Sequence, residues 1–337
     1  MMKKKKLMMV IMCFVLSLVI GGCAPQSTEE TGKQDNTYTT NLTKVSKMIS
    51  DNVGEEVTTA AKTVIEAFLQ YENSAKITIS GNTDRFMNDM AYVIHCTCPL
   101  FLAFTDFNEM SAYNKKTGEV SWNYFVEKEE FDAKVKAFYK TSDEYLANVS
   151  KTDSEAMKAA LLYYAIINDL NYDYDLIGDN YNKLSKEDAN MRSSSYNVLV
   201  SKSGICTNMS QAYMYLCTQA DIECGTVLHT GGNGMHMWNI VKIDDKYYYC
   251  DPTWDANASL KYFGITAADR ASWAGEYASN EGTMLSVNIP LKYDVSSSRF
   301  ETMRSKLPVE ISDVQSDKKL QTIKFLGYEY EYIFECQ

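Results

Sequence analysis

Apolar residues recur at helical spacing over the first part of the chain and alternate with polar ones farther on. Between Leu42 and Tyr71 the helical set is Val45, Ile49, Val53, Val64, Ala67 and Phe68. Lys76 to Ser80 alternates as a short strand, and Arg85 to His95 returns to a helical pattern. Phe107 to Phe125 reads as a hairpin in which Lys115-Lys116-Thr117-Gly118 turns between Met110 to Tyr113 and Val120 to Tyr124. Lys128 to Val149 and Ser154 to Leu170 are predicted helices, the first charged along one face and so solvated there. Gly225 to Thr230, Met235 to Ile243 and Tyr247 to Asp251 read as strands, with Asp244-Asp245 as a tight connection. Thr266 to Trp273 predicts a short helix, and Thr322 to Phe325 and Tyr328 to Tyr332 alternate on either side of Gly327 as a closing hairpin.

Three residues stand in settings that this pattern does not require. Ser203-Gly204 is a turn signal, and Ala212, Leu216 and Ala220 follow at helical spacing, so Cys206 opens a helix running to about Ala220. A thiol there lies at the positive end of the helix dipole, which favours the nucleophilic thiolate, and a backbone N–H at the helix start is aimed to hold an oxyanion. Alone, such a cysteine is more commonly a small buried hydrophobe. His236 and Asp251 change that reading.

If Ile243 faces Lys246 across a two-residue loop, the pairing continues Val241 with Tyr248 and Trp238 with Asp251. His236, Trp238, Tyr249 and Asp251 then share one face, and Asp251 lies diagonally beside His236 at roughly 7–8 Å between Cβ atoms. A carboxylate at that separation reaches an imidazole N–H. An odd-numbered loop would put the pair on opposite faces. Asn239 is a second candidate for orienting the imidazole, but its odd offset from His236 points it to the other face. His229 reads as an ordinary strand residue.

Gly204-Ile205-Cys206, His236-Met237-Trp238-Asn239 and Tyr248-Tyr249-Cys250-Asp251-Pro252-Thr253-Trp254-Asp255 together resemble the transglutaminase-like superfamily, which shares Cys-His-Asp chemistry with papain-like cysteine proteases. The likeness extends through Asn171-Tyr172-Asp173-Tyr174, Ser194-Ser195-Tyr196 and Tyr262-Phe263. It implies an α+β fold whose transglutaminase-like or papain-like core sets the nucleophile at a helix N-terminus against an antiparallel sheet carrying His and Asp. It also implies that Cys206 is the nucleophile, His236 the general base and then acid, and Asp251 the group that orients the imidazolium. Bacterial members usually carry Gly and an aromatic residue where this chain has Asn208 and Met209. Tyr196, just upstream with a hydroxyl to offer, is the candidate for a second oxyanion donor. Trp238 and Trp254 line a cleft on one reading and pack the core on another.

At the amino end, Lys3 to Lys6 precede an apolar run from Leu7 to Ile20, and Ile20-Gly21-Gly22-Cys23 matches a bacterial lipoprotein cleavage box in which Cys23 becomes the acylated mature N-terminus. An uncleaved anchor helix is the competing reading. The division expected is signal 1–22, flexible tether 23–41, amino-terminal helix-and-hairpin region 42–150, catalytic core 151–275 and β-rich extension 276–337. The formal net charge of −11 becomes more negative once the signal lysines leave, which argues against nucleic acid and anionic lipid as partners. Cys217, Cys224 and Cys250 read as small buried hydrophobes, and Cys96 and Cys98 beside His95 lack a second pair at metal-ligand spacing. With no phosphate-cradling glycine loop and no EF-hand calcium loop, no cofactor and no metal are called.

The function implied is a membrane-tethered, extracytoplasmic thiol enzyme acting on a peptide or protein substrate, cell-wall peptide included. Transfer of the acyl group to water makes it a peptidase or amidase, and transfer to an amine makes it a crosslinking transglutaminase. The alternative from another class is a binding lipoprotein that kept the fold. Intact Cys206, His236 and Asp251 argue against it, because a scaffold has no need for a thiol at an exposed helix start.

Overall fold

The computed structural model describes residues 36–108, 112–168, 170–231, 234–256, 260–273 and 293–301, together with the strands Thr283–Met284, Ile289–Pro290, Glu310–Ser316, Leu320–Leu326 and Tyr330–Glu335. The proposed signal, Cys23 and residues 24–35 lie outside the described residues. Among the described residues no helix is long and apolar enough to cross a membrane.

The helical pattern of the first part resolves into helices Lys47–Val53 and Glu55–Leu69, parted at Gly54, whose φ of 91° no helical residue adopts. Asn82 accepts the Arg85 N–H and so caps helix Thr83–Thr97. Helix Pro99–Phe104 follows, from a continuous apolar run with no periodicity to announce it. Its Phe101 and Phe104 are fully buried and meet Phe68, Phe131, Phe107 and Trp122 edge-on or tilted, with ring centres 5.0–6.3 Å apart. Helices Lys128–Leu146 and Glu155–Ile167 lie where predicted, the second capped by Ser154.

The hairpin pairs Tyr113 with Val120 and Asn114 with Glu119, and Thr105–Asp106 joins Asn123–Tyr124 beyond it. The strand expected at Lys76 to Ser80 sits earlier, at Ser74–Lys76, because its partner Glu119–Ser121 offers only three residues before the turn. Residues 36–41, expected as tether, are instead tied to the domain by one buried ring and several hydrogen bonds. Tyr38 is buried, the Lys151 N–H donates to the Asn36 carbonyl at 2.9 Å, and Asn41 and Gln219 exchange two hydrogen bonds at 2.7 and 3.0 Å. A single Tyr among polar residues gave the sequence no period to show this. Further ties run from this end into the middle of the chain: the buried Lys158 ammonium donates to the Tyr38 hydroxyl and the Ala220 carbonyl, both at 3.1 Å, Ser46 donates to the Cys224 carbonyl, and the Tyr92 and Thr226 hydroxyls share a bond.

The central sheet is antiparallel and five-stranded, in the order Lys246–Cys250, Gly234–Ile243, Cys224–Gly231, Thr283–Met284, Ile289–Pro290. Ile243 pairs with Lys246 and Val241 with Tyr248, the register a two-residue loop dictates, and Asp244 and Asp245 take the positive φ values of 47° and 62° that such a turn needs. Helix Cys206–Gln219 packs on this sheet. The Asn239 amide donates to the Ser210 carbonyl at 2.8 Å, and the Ser210 hydroxyl to the Met237 carbonyl at 3.1 Å. A closing three-stranded antiparallel sheet pairs Leu320–Leu326 with both Tyr330–Glu335 and Glu310–Ser316, so the expected tail hairpin carries a further strand.

The chain enters the Cys206 helix through a parallel pair, Asn171–Tyr172 with Ser203–Gly204. A Cβ on Gly204 would stand 2.6 Å from Asn208 Oδ1 and 2.7 Å from Val198 Cγ2. Asn208 is buried and bonded on every side, so it cannot swing away. Gly204→Ala is therefore expected to cost about 1–3 kcal/mol. Chemical unfolding monitored by circular dichroism checks this; an unchanged midpoint would show that the turn relaxes freely.

Candidate active site

Cys206 is the first residue of its helix and is half-buried. Two features fix that start. The Asn208 carboxamide oxygen accepts the Ile205 N–H at 2.7 Å, and its amide donates to the carbonyls of Arg192 and Ser194 at 2.9 and 3.1 Å. Asn208 thus locks the loop before the helix to the junction between helices Lys186–Ser193 and Ser195–Ser201. The first N–H groups of a helix have no intrahelical acceptor, so the backbone at Cys206 remains able to bind an anion.

His236 and Asp251 come from neighbouring strands, one inside Gly234–Ile243 and one just past the end of Lys246–Cys250. His236 Nε2 and Asp251 Oδ2 are 2.7 Å apart. Nδ1 is then the nitrogen left for the Cys206 thiol, with which the imidazole makes its second hydrogen bond. Burial pushes the Cys206 thiol up, but the bond to His236 and the imidazolium charge outweigh it, with help from the Met237 N–H, and the thiol is lowered overall. Burial pulls His236 down, yet Asp251 and the thiol partner more than reverse this and raise it to about 9. Asp251 is fully buried; burial raises its carboxyl, and His236 and Arg270 together bring it below the ordinary carboxylate range. The set favours a thiolate–imidazolium pair, the nucleophile and the acid that acyl transfer needs.

The Asp251–Asp255 turn divides its duties. Asp251 Oδ1 accepts the Trp254 N–H at 3.3 Å, which turns the indole onto His236 with ring centres 5.0 Å apart and planes 15° apart. Asp255, also buried, accepts the Tyr163 hydroxyl at 2.6 Å and the Tyr262 N–H at 2.8 Å and so anchors the far end. The following segment returns beside the sheet through mutual Tyr249 and Ile265 bonds of 2.9 Å, which delivers helix Ala267–Trp273 to the site. From it Arg270 Nη1 donates to Asp251 Oδ2 at 2.6 Å.

Residues 143–252 match the family model of the transglutaminase-like superfamily. They form a transglutaminase-like domain. Among solved structures, one described as a TGase is 20% identical with a TM-score of 0.30, and covers 39% of this chain and 34% of its own. A candidate cysteine protease from Cytophaga hutchinsonii is 10% identical with a TM-score of 0.26, and covers 38% of this chain and 43% of its own. The chain thus spans about a third of the length of the first and under half of that of the second. No curated protein matches it.

Within the transglutaminase-like domain the structure brings Cys206, His236 and Asp251 together, with Trp254 at the partly exposed edge. Trp238, proposed for the cleft, is 1% exposed and lies inside: its place two residues from His236 puts it on the same face but under the Arg270 guanidinium. Tyr196 is not at the site. Helix Ser195–Ser201 turns its ring toward Phe104 and Phe138, 5.1 and 5.6 Å away, in the packing against the amino-terminal helices. Asn239 faces helix Cys206–Gln219, as its odd offset implies. His229 stands directly opposite His236 in the strand register. Cys96, Cys98, Cys217, Cys224 and Cys250 are buried thiols.

Asn208 and Arg270 are the participants the sequence reading missed. Arg270 carried a faint signal, since Ala267 and Trp273 flank it at helical spacing and set it on the apolar side of its helix.

Linkage gives the raised His236 a sign. Its folded value lies above the unfolded one of about 6.5, so its contribution to stability is complete below that pH and is lost as pH rises from there through about 9. Urea unfolding of the protein and of His236→Gln is expected to show a stability gap that narrows over this window; a gap that widens would contradict the raised imidazolium.

Proposed function

We propose that this chain is a thiol enzyme that attacks amide carbonyls through an acyl-enzyme on Cys206, and that water is its usual acceptor, making it a peptidase or amidase. The observation that carries this reading is the bonded series Cys206, His236 and Asp251, ending in a buried carboxylate. The Cys206 thiolate adds to the carbonyl carbon, and the developing oxyanion meets the backbone N–H at the helix start. Collapse breaks the C–N bond, and His236 Nδ1–H gives its proton to the departing amine. Neutral His236 then takes a proton from the incoming water, the hydroxyl adds to the thioester, and the thiolate leaves. Asp251 holds the ring so that Nδ1 keeps facing sulfur in both protonation states.

The same reading places the domain outside the cytoplasm, held to a bacterial membrane by lipid on Cys23; the basic residues, apolar run and Gly-Gly-Cys ending support this. Mass analysis of the amino-terminal peptide tests it, with a lipid-modified Cys23 expected. Substrates are peptides or proteins on that side, cell-wall peptide among them. The test of activity is incubation with mixed peptides and a labelled primary amine, followed by intact-mass spectrometry against Cys206→Ala. Cleavage lost in the variant is expected; incorporation of the amine in its place would reassign the protein to amine transfer.

A further inference from the structure

Arg270 is a buried cation that packing alone does not explain. It is 2% exposed, and its guanidinium lies between two indoles, 4.1 Å from the Trp238 ring centre and 3.9 Å from that of Trp254. Nη1 bonds Asp251, while Nε and Nη2 are sealed from solvent without a hydrogen-bond partner. Stacking on the rings returns part of the lost hydration. An apolar side chain of similar volume would nevertheless fill the slot without stripping a charge of water. The positive charge therefore calls for a reason of its own, and its one bond indicates where to look.

Asp251 Oδ2, which takes the Arg270 donor, is also the oxygen that takes His236 Nε2. In the proposed cycle His236 alternates between imidazolium and imidazole. Whenever the ring is neutral, a fully buried Asp251 facing it alone would be a carboxylate without a counter-ion, and such a group responds by taking up a proton. A protonated Asp251 would then have to release that proton before it could hold the imidazolium again. Arg270 supplies a cation that does not titrate in a protein.

We propose that Arg270 is a positioning residue of the thiol site: its guanidinium, clamped between Trp238 and Trp254, holds the Asp251 carboxylate in place and in charge through both states of His236. This rests on the reading of Cys206, His236 and Asp251 given above. Other groups around the set are His229 across the strand pair, Tyr249 from the edge strand and Tyr262 from the returning segment, both near the guanidinium, and Asp255 at the end of the turn, bonded to Tyr163. Asp251 is the carboxylate the guanidinium touches.

The test is the rate of Cys206 alkylation by iodoacetamide as a function of pH, read by intact mass with Cys206→Ala as the blank. In the native protein the acidic midpoint is expected below that of an ordinary thiol. Arg270→Met is expected to raise it by about one pH unit, because a nearby cation is lost and the imidazolium is less firmly placed. Arg270→Gln keeps a donor for Asp251 without the charge and should shift the midpoint in the same direction, from a fold closer to the native one. Arg270→Lys should recover most of the shift. A structural role alone would lower the melting temperature and leave the midpoint in place, so unmoved Met and Gln variants beside a depressed native midpoint overturn the role of Arg270. A native midpoint near that of a free thiol overturns the thiol-enzyme reading and this proposal with it.

Discussion

Cys206→Ala is expected to fold as the native chain does and to lose the proposed amide turnover by at least about a thousandfold. The side chain is small and half-exposed, and the helix start is fixed by Asn208 and Gly204, so the substitution leaves the local structure intact. What it removes is the atom on which the proposed acyl bond forms, and neither His236 nor the backbone N–H can take its place. Matching circular dichroism and melting curves, with turnover followed by mass spectrometry, check both halves. A variant that keeps turnover would move the chemistry away from Cys206 altogether.

Asp251→Ala is expected to cost about 3–5 kcal/mol of stability in addition to activity, because it strands the Arg270 guanidinium without a counter-ion inside the protein. Adding Arg270→Met to it should recover part of that loss, since the stranded charge goes with its partner. Urea unfolding of the two single variants and the double variant measures the coupling. Additive losses would mean that the two side chains do not depend on one another.

The part of the site legible in the sequence is the part fixed by short-range geometry. A two-residue loop with period-2 strands determines which side chains share a face, so the His236–Asp251 relation follows from counting. The helix opening at Cys206 follows from a turn signal and an apolar period. Arg270 could not be placed by either rule, because its relation to Asp251 depends on how the segment after Asp255 doubles back along Tyr249. Tyr196 was misplaced for the converse reason: closeness in the chain says nothing of which way a helix turns its ring. Asn208 replaces the glycine that the resemblance led one to expect, and its carboxamide serves three backbone groups that no pattern of apolar positions reports. Helix Pro99–Phe104 escaped because a segment buried on all sides has no periodicity.

The ties from the amino-terminal segment have a consequence for portability. The recognisable family match begins at residue 143, yet Lys158, inside it, keeps its ammonium hydrated by proxy through Tyr38, and Gln219 at the tail of the Cys206 helix finds its partners in Asn41. Trimmed to the matching stretch, the chain would leave the Lys158 ammonium with the Ala220 carbonyl but without the Tyr38 hydroxyl, and the end of the Cys206 helix without its Asn41 partners. The stretch that matches the family and the stretch that completes its buried hydrogen bonds are therefore of different length here. A version of the domain cut at residue 143 is expected to melt at a lower temperature than one that begins at residue 36, which thermal unfolding of the two checks.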